Sequence, residues 1–150
     1  MKVAFDENIP ELMVRVFQTL TNEGHVLGVE IFSARAYRPD DEKGDDNWIK
    51  RFALSGGQII ISGDVHMRSR LHERAALAQA KVVTYFFDGR WGKFNLFTKS
   101  AMLLQWWPFL AEHMKSAQPA TCWEIPAVWN TTELRNVSTD PAKLSPEKKT

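Results

Sequence analysis

The stretch Gln58–Asp64 has the sequence QIIISGD, in which three isoleucines are followed by two small residues and an acid. An uninterrupted apolar run is typical of a strand buried on both faces, because a strand with one wet face alternates apolar and polar side chains. A strand of this kind needs helices on both sides of its sheet. The stretch therefore predicts a central strand of an α/β sandwich.

The opening of the chain follows a similar pattern. Val3–Phe5 is a short apolar run that predicts a second buried strand, and it stops abruptly at Asp6. A helix is expected directly afterwards, because Asn8 can cap it, Pro10 suits its first turn and Glu11 lies three residues after Asn8, as in a capping box. Two predicted strands therefore end in an acid.

Strand and helix patterns alternate through the rest of the chain. The further predicted elements are a strand at 25–29, a polar loop at 33–46, a helix from Asp45 or Asp46 to Gly56, an Ala-rich helix ending at Ala80, a strand at 82–87 and a helix at 98–114. Such alternation implies right-handed crossovers between parallel strands. We therefore predict an α/β fold, a three-layer sandwich with a mostly parallel central sheet.

The length of 150 residues suits one domain. Residues 1–130 are predicted to form it, with 121–129 as either an edge strand or a packed tail. Residues 131–150 are polar and contain no aromatic side chain. That final segment is predicted to be a disordered tail.

Composition and motifs exclude several classes of protein. The single cysteine, Cys122, cannot form an internal disulfide, and no apolar run is long enough to span a membrane. The start lacks the apolar segment of a signal peptide, so we expect a cytoplasmic protein without a membrane partner. The chain has no Gly-x-Gly-x-x-Gly, Walker-type or His-Glu-x-x-His motif, which leaves nucleotide cofactors and zincin chemistry without support.

Charge is distributed unevenly, although the formal net charge is only +1. Residues 1–64 carry 11 acidic and 7 basic side chains, whereas residues 65–115 carry 3 acidic and 8 basic ones. Carboxylates that hold a cation beside bases that neutralise a polyanion would give this distribution. Ordinary scatter of surface charges would give it too.

Acids end three of the predicted strands. Asp6, Asp64 and Asp88 follow these strands, and the carboxyl ends of parallel strands share one edge of the sheet, where ligands bind. Asp45 or Asp46, at the start of a helix leading into a strand, belongs to the same edge. Neighbouring carboxylates repel each other and therefore favour a shared proton or a bound cation. Mg²⁺ or Mn²⁺ is the expected ion, because these hard cations take oxygen ligands.

Three motifs, in this order and spacing, resemble the PIN-like superfamily. They are Val3–Pro10 with its Asp-Glu-Asn start, Asp45–Ile49 and Ile59–Asp64, and the resemblance covers about residues 1–115. More narrowly, they resemble its VapC-type branch, whose members are metal-dependent α/β ribonucleases and often toxins of toxin–antitoxin pairs. The resemblance implies Mg²⁺- or Mn²⁺-dependent hydrolysis of RNA, and a cognate antitoxin as partner.

The resemblance also implies the catalytic and metal-binding residues. Asp6, Asp45 and Asp64 correspond to acids of the family's site. Asp46 is a near-equal candidate for the place of Asp45, and Glu7 is either a further metal ligand or a solvated side chain.

Basic side chains directly after the third of these acids are expected to bind RNA phosphates. They are His66, Arg68, Arg70 and Arg74. The arginines have a second interpretation as a solvated helix face, and the histidine as a residue without a functional role.

Many family members have an additional glutamate that has no evident counterpart in this sequence. Glu30 and the acids at 40–42 are candidate substitutes for it. The number of bound metal ions, one or two, is therefore left open.

Two other functions are weighed against the nuclease. One is a non-catalytic PIN-like module for protein interaction. The other is a receiver-like phosphoacceptor domain, for which Asp64 and Lys81 are a poor match. Trp91, Phe94 and Phe97 either stack on bases or serve the core or self-association, which is the basis for expecting a homodimer.

Overall fold

The computed structural model describes residues 1–26, 28–37, 46–63, 71–129 and 133–138, without the side chains of 46, 47 and 71–73. The strands are β1 (Lys2–Phe5), β2 (Glu30–Ser33), β3 (Gly57–Ser62), β4 (Val83–Phe87), β5 (Cys122–Ile125) and β6 (Arg135–Asn136). The α-helices are α1 (Glu11–Asn22), α2 (Asp46–Leu54), α3 (Leu71–Ala80) and α4 (Leu96–Ser116). In the described part of the chain, no helix has a stretch long and apolar enough to cross a membrane.

One sheet joins the six described strands in the order β2-β1-β3-β4-β5-β6. The first five are mutually parallel, and β6 is antiparallel to β5. The predicted α/β fold with a mostly parallel sheet is thus confirmed. The strand order reverses between β1 and β3, and a reversal of this kind creates a crevice at the carboxyl ends of those two strands.

Helices cover both faces of the sheet. Ile59 and Ile61 of β3 belong to the core formed with α1 and α4, whereas Ile60 belongs to the core formed with α2 and α3. All three isoleucines are buried. Alternate side chains of one strand therefore enter two separate apolar layers, which confirms the three-layer sandwich.

The second strand lies later in the chain than predicted. The prediction placed it at 25–29, but β2 is Glu30–Ser33. Gly24 and Gly28 both have a positive φ, so the chain turns at these two residues instead of extending. The amino group of Met1 donates a hydrogen bond to the Gly28 carbonyl at 3.0 Å, and this contact places the following residues beside β1.

The carboxyl-terminal part of the sheet extends beyond the predicted domain end at residue 130. Strand β5 is an inner strand, because β6 pairs with it within the range predicted as a disordered tail. An ion pair of 3.7 Å between Glu124 and Arg135 and a hydrogen bond from Val137 N to Cys122 O hold β6 in place. Residues 139–150 of the predicted tail lie outside the described residues.

A half-buried histidine makes the stability of the fold depend on pH. His113 of α4 lies 2.7 Å from the Tyr85 hydroxyl and packs against Trp123. Burial lowers the pKa of His113, so the unfolded chain binds a proton more readily than the folded one. We expect the free energy of unfolding to fall as the pH decreases below about 6.5, with a slope of at most about 1.4 kcal/mol per pH unit.

Urea denaturation between pH 7.5 and pH 5 measures this dependence. The variant His113→Gln should show a shallower pH dependence than the wild type. An equal slope in both proteins would contradict the assignment to His113.

Candidate active site

The candidate site lies where the order of the strands reverses. Asp6 follows β1, and Ser62 ends β3, the strand beside it, with Gly63 directly after it. The backbone N–H of Asp6 donates to the Ile61 carbonyl at 3.0 Å, so the pairing of the two strands continues to the acid itself. In open sheets with this strand order, ligands bind outside the carboxyl ends at the reversal.

Asp6 is held in one orientation by the neighbouring backbone and by Ser62. Its side chain is almost fully buried, at 2% exposure. Oδ1 accepts hydrogen bonds from Asn8 N at 3.0 Å and from Gly63 N at 3.3 Å, and Oδ2 accepts one from the Ser62 hydroxyl. These three donors fix the orientation of the carboxylate.

The turn after Asp6 differs from the sequence interpretation. Asn8 was predicted to cap α1, but the helix begins at Glu11 with Pro10 as its N-cap residue and no side-chain capping bond. Ile9 N instead donates to Asp6 O, closing a turn that aims the Asn8 N–H at the carboxylate. The backbone N–H groups of Asn8 and Ile9 therefore bind Asp6, and the Asn8 side chain does not cap the helix.

A second carboxylate, Glu11, lies at the same edge of the sheet and was missed as a site-edge residue. Ser33 pairs with Phe5 at the end of β2, and its hydroxyl donates to Glu11 Oε1 at 2.6 Å. Arg35 donates to the same oxygen at 2.8 Å. The sequence analysis predicted only a capping role for Glu11. The signal for a position at this edge was available, because Glu11 comes five residues after Asp6, at the start of the helix that follows the strand.

Glu30 cannot serve as the additional acid of the site. It opens β2 and pairs with Lys2 at the start of β1. This pairing places Glu30 at the amino edge of the sheet, opposite the edge that carries Asp6. The interpretation of Glu30 as the counterpart of the family's additional glutamate is therefore wrong. The other candidates, the acids at 40–42, lie outside the described residues.

Asp88 ends β4 but has a different environment from Asp6. Its Oδ2 accepts two hydrogen bonds from the Arg90 guanidinium, at 2.6 and 3.0 Å, and a third from Ala127 N at 3.3 Å. Burial opposes ionisation, but the hydrogen bonds and charge of Arg90 outweigh it and lower the pKa of Asp88. The carboxylate also accepts from Arg90 N and caps the short 3₁₀ turn Gly89–Lys93. Asp88 therefore has a structural role, joining β4 to the end of β5.

One predicted base-stacking residue, Trp91, lies in the same turn. Trp91 is buried, stacks on Phe87 at 4.0 Å between ring centroids and donates from Nε1 to the Ile125 carbonyl. It belongs to the core, so the base-stacking interpretation is wrong for this residue. Phe94 is partly buried against the same core.

Several predicted site residues lie outside the described residues. They are Asp45, Asp64, His66, Arg68 and Arg70. Helix α2 begins at Asp46, in agreement with its predicted start at Asp45 or Asp46. Glu7 is half-buried in the turn after Asp6.

Arg74 of α3 is also half-buried, and it donates from its guanidinium to the Val137 carbonyl at 2.9 Å. This contact links α3 to the residue after β6. A role in RNA binding for Arg74 stays a prediction.

The described ranges contain no group of three or more His, Cys, Asp or Glu side chains that could hold a metal ion. Of the five predicted ligands, Asp45 and Asp64 are outside those ranges, and the side chain of Asp46 is not described. The carboxylate of Asp6 is of the oxygen type that Mg²⁺ and Mn²⁺ prefer. Its chemistry is therefore compatible with a hard divalent cation.

The position of Lys81 does not suit the receiver-like alternative. Lys81 precedes β4 and therefore lies at the amino edge of the sheet. Asp6 and the end of β3 lie at the carboxyl edge. Lys81 is therefore at the edge opposite Asp6, in agreement with its poor match to a receiver-like site.

Comparison with known proteins places the chain in a family. A family model described as "PIN like domain" matches residues 1–89, which include β1, β2, β3 and β4. The searches of curated proteins and of solved structures return no match. The matched part exceeds half of the chain and contains Asp6 together with its partners at the end of β3. The chain belongs to the PIN-like domain family.

Proposed function

We propose that this protein is a metal-dependent ribonuclease that hydrolyses phosphodiester bonds of RNA. PIN-like domains are often nucleases and generally use divalent metals. The observation that carries the proposal is the position of Asp6, a buried carboxylate that Asn8 N, Gly63 N and the Ser62 hydroxyl orient at the reversal of strand order.

Asp6, Asp45 and Asp64 are proposed to hold Mg²⁺ or Mn²⁺, with Asp46 or Glu7 as a further ligand. The bound ion would supply activation of a water molecule and neutralisation of charge on the phosphate. The chain's own contribution is orientation. Ser62 and two backbone N–H groups fix the orientation of the Asp6 carboxylate.

Single-stranded RNA is the proposed substrate, because an open crevice at a sheet edge admits splayed bases better than a rigid duplex. Basic side chains of the region 65–115 are proposed to contact its phosphates. They are His66, Arg68, Arg70 and Arg74. The opening Val3–Pro10 resembles the VapC-type branch, which supports a further proposal that the protein is the toxin of a toxin–antitoxin pair, inhibited by a cognate antitoxin.

Two strand-end acids provide a matched test of this proposal. Asp6→Asn should lower Mn²⁺-dependent cleavage of a single-stranded RNA pool by at least about 100-fold, because it removes a ligand charge. Asp88→Asn should retain most of the activity and lower the free energy of unfolding by about 1 kcal/mol, because it weakens the contact with Arg90. Cleavage rates measure the activity, titration calorimetry measures Mn²⁺ binding, and urea denaturation measures the free energy of unfolding.

Equal losses of activity in the two variants would contradict a special role for Asp6. A wild-type protein that neither binds Mn²⁺ nor cleaves any RNA would contradict the nuclease and favour the non-catalytic interaction module.

Ser62 is expected to act indirectly, by positioning the carboxylate of Asp6. Ser62→Ala removes the hydroxyl bonded to Oδ2 and should weaken Mn²⁺ binding about 10- to 100-fold, with Ser62→Thr restoring part of the affinity. Thr84→Val is the control, because Thr84 is buried on the neighbouring strand β4 and its hydroxyl has no hydrogen-bond partner in the described part of the chain. This control should leave Mn²⁺ affinity unchanged, and an equal loss in both variants would indicate a general effect on the sheet.

A further inference from the structure

Arg35 lies at the same edge of the sheet as Asp6. It belongs to a short 3₁₀ turn, Ala34–Tyr37, that directly follows Ser33 at the end of β2. Ser33 pairs with the residue before Asp6, and neighbouring strands are about 4.8 Å apart. Because β2 and β3 flank β1 on opposite sides, Arg35 borders the candidate site on the side away from β3.

The side chain of Arg35 is anchored to the start of α1. Its Nη1 donates to Glu11 Oε1 at 2.8 Å, and the same oxygen accepts a hydrogen bond from the Ser33 hydroxyl at 2.6 Å. The Ser33 hydroxyl in turn accepts from Arg35 N at 3.3 Å, which closes a small network. Glu11 is the first residue of the helix that follows Asp6, so the network holds the guanidinium at the carboxyl edge. A long side chain that is already held in place loses less entropy when it binds a ligand.

The anchored guanidinium keeps most of its hydrogen-bond donors available. Arginine has five N–H donors in a planar fork, and a phosphate can accept two of them at once. Within the residues that the structure describes, the Arg35 side chain makes one hydrogen bond, from Nη1 to Glu11. The side chain is 56% exposed. Its Nε and Nη2 groups, which form one edge of the fork, are therefore accessible to an anion.

Arg90 shows the opposite arrangement at the carboxyl end of β4. Its Nε and Nη2 donate to the Asp88 carboxylate at 3.0 and 2.6 Å, so the same edge of the fork is already occupied. The carboxylate that anchors Arg35 takes only Nη1. The contact of Arg90 is therefore suited to holding the fold together, whereas that of Arg35 leaves room for a ligand.

We propose that Arg35 binds a phosphate group of the RNA beside the one that is cleaved, and that Glu11 and Ser33 hold its guanidinium in place. This inference rests on the proposed ribonuclease function, because it assigns a substrate contact to the same site. A single strand would then cross the carboxyl edge from Arg35 past Asp6 towards the end of β3. Phosphate contacts of this kind give affinity and position without sequence preference.

Binding of a labelled single-stranded RNA of mixed sequence tests the contact. Fluorescence anisotropy in EDTA, over a range of salt concentrations, measures the affinity without cleavage. Arg35→Gln should raise Kd about tenfold at low salt. It should also reduce the slope of log Kd against log salt by about 0.7, the contribution of one phosphate contact on a single strand. Arg35→Lys keeps the charge but loses the fork, so it should retain the slope and raise Kd only about threefold.

Arg135→Gln is the matched control for the loss of charge. Arg135 is also exposed and paired with a glutamate, Glu124, at 3.7 Å, but it lies on β6, at the far end of the sheet from β2. This variant should leave both Kd and the salt slope unchanged. Circular dichroism should show that all variants are folded, because an exposed ion pair contributes little to stability.

Ser33→Ala tests the positioning role of the network. It should weaken RNA binding about threefold in the wild-type background, and should add no further loss to Arg35→Gln, because it acts through that side chain. An equal loss in both backgrounds would contradict the positioning role.

Cleavage in the presence of Mn²⁺ provides a second measurement. Arg35→Gln should raise KM about tenfold and leave kcat within about twofold, because a flanking phosphate is bound equally in the ground state and the transition state. A wild-type salt slope in Arg35→Gln, or an equal loss of affinity in Arg135→Gln, would overturn this inference and leave the ribonuclease proposal intact. A wild type that neither binds nor cleaves RNA would overturn both.

Discussion

The hydrogen bonds between Asp6 and the end of β3 are the constraint on which the candidate site depends. They join the carboxyl ends of two parallel strands at the point where the strand order reverses, with Ser62 and Gly63 as the donors from β3. The acid thereby connects the carboxyl ends of β1 and β3. An unsatisfied buried carboxylate would cost several kcal/mol, so these donors are a condition for burying Asp6 at all.

The described contacts of the two strand-end aspartates differ in their origin. Asp88 is paired with Arg90, two residues further along the chain, and also binds Ala127 N, which ties β4 to the residues after β5. Asp6 accepts hydrogen bonds from the Ser62 hydroxyl and Gly63 N, which come from the neighbouring strand β3 and the residue after it. Both acids follow a buried strand, so the sequence pattern alone does not separate them.

Sequence patterns predicted the layers well and the details of the edges less well. The isoleucines of β3 indicated burial on both faces, because a half-exposed strand would alternate apolar and polar side chains. The position of β2 was missed, because positive φ at Gly28 and its contact with Met1 shifted the strand to Glu30. Strand β6 was missed too, since two exposed polar residues carry no apolar pattern and depend on pairing with β5.

By itself, the sequence determined the α/β class, the alternation of strands and helices, and the placement of Asp6 at the end of a buried strand. These features follow from local apolar periodicity and from chain order, which the sequence contains directly. Only the tertiary structure decided on which edge Glu30 lies and which donors Asp6 and Glu11 meet. It placed Glu30 opposite the site, and it brought Ser33 to Glu11 and Gly63 to Asp6, because those contacts depend on strand order and register between distant segments.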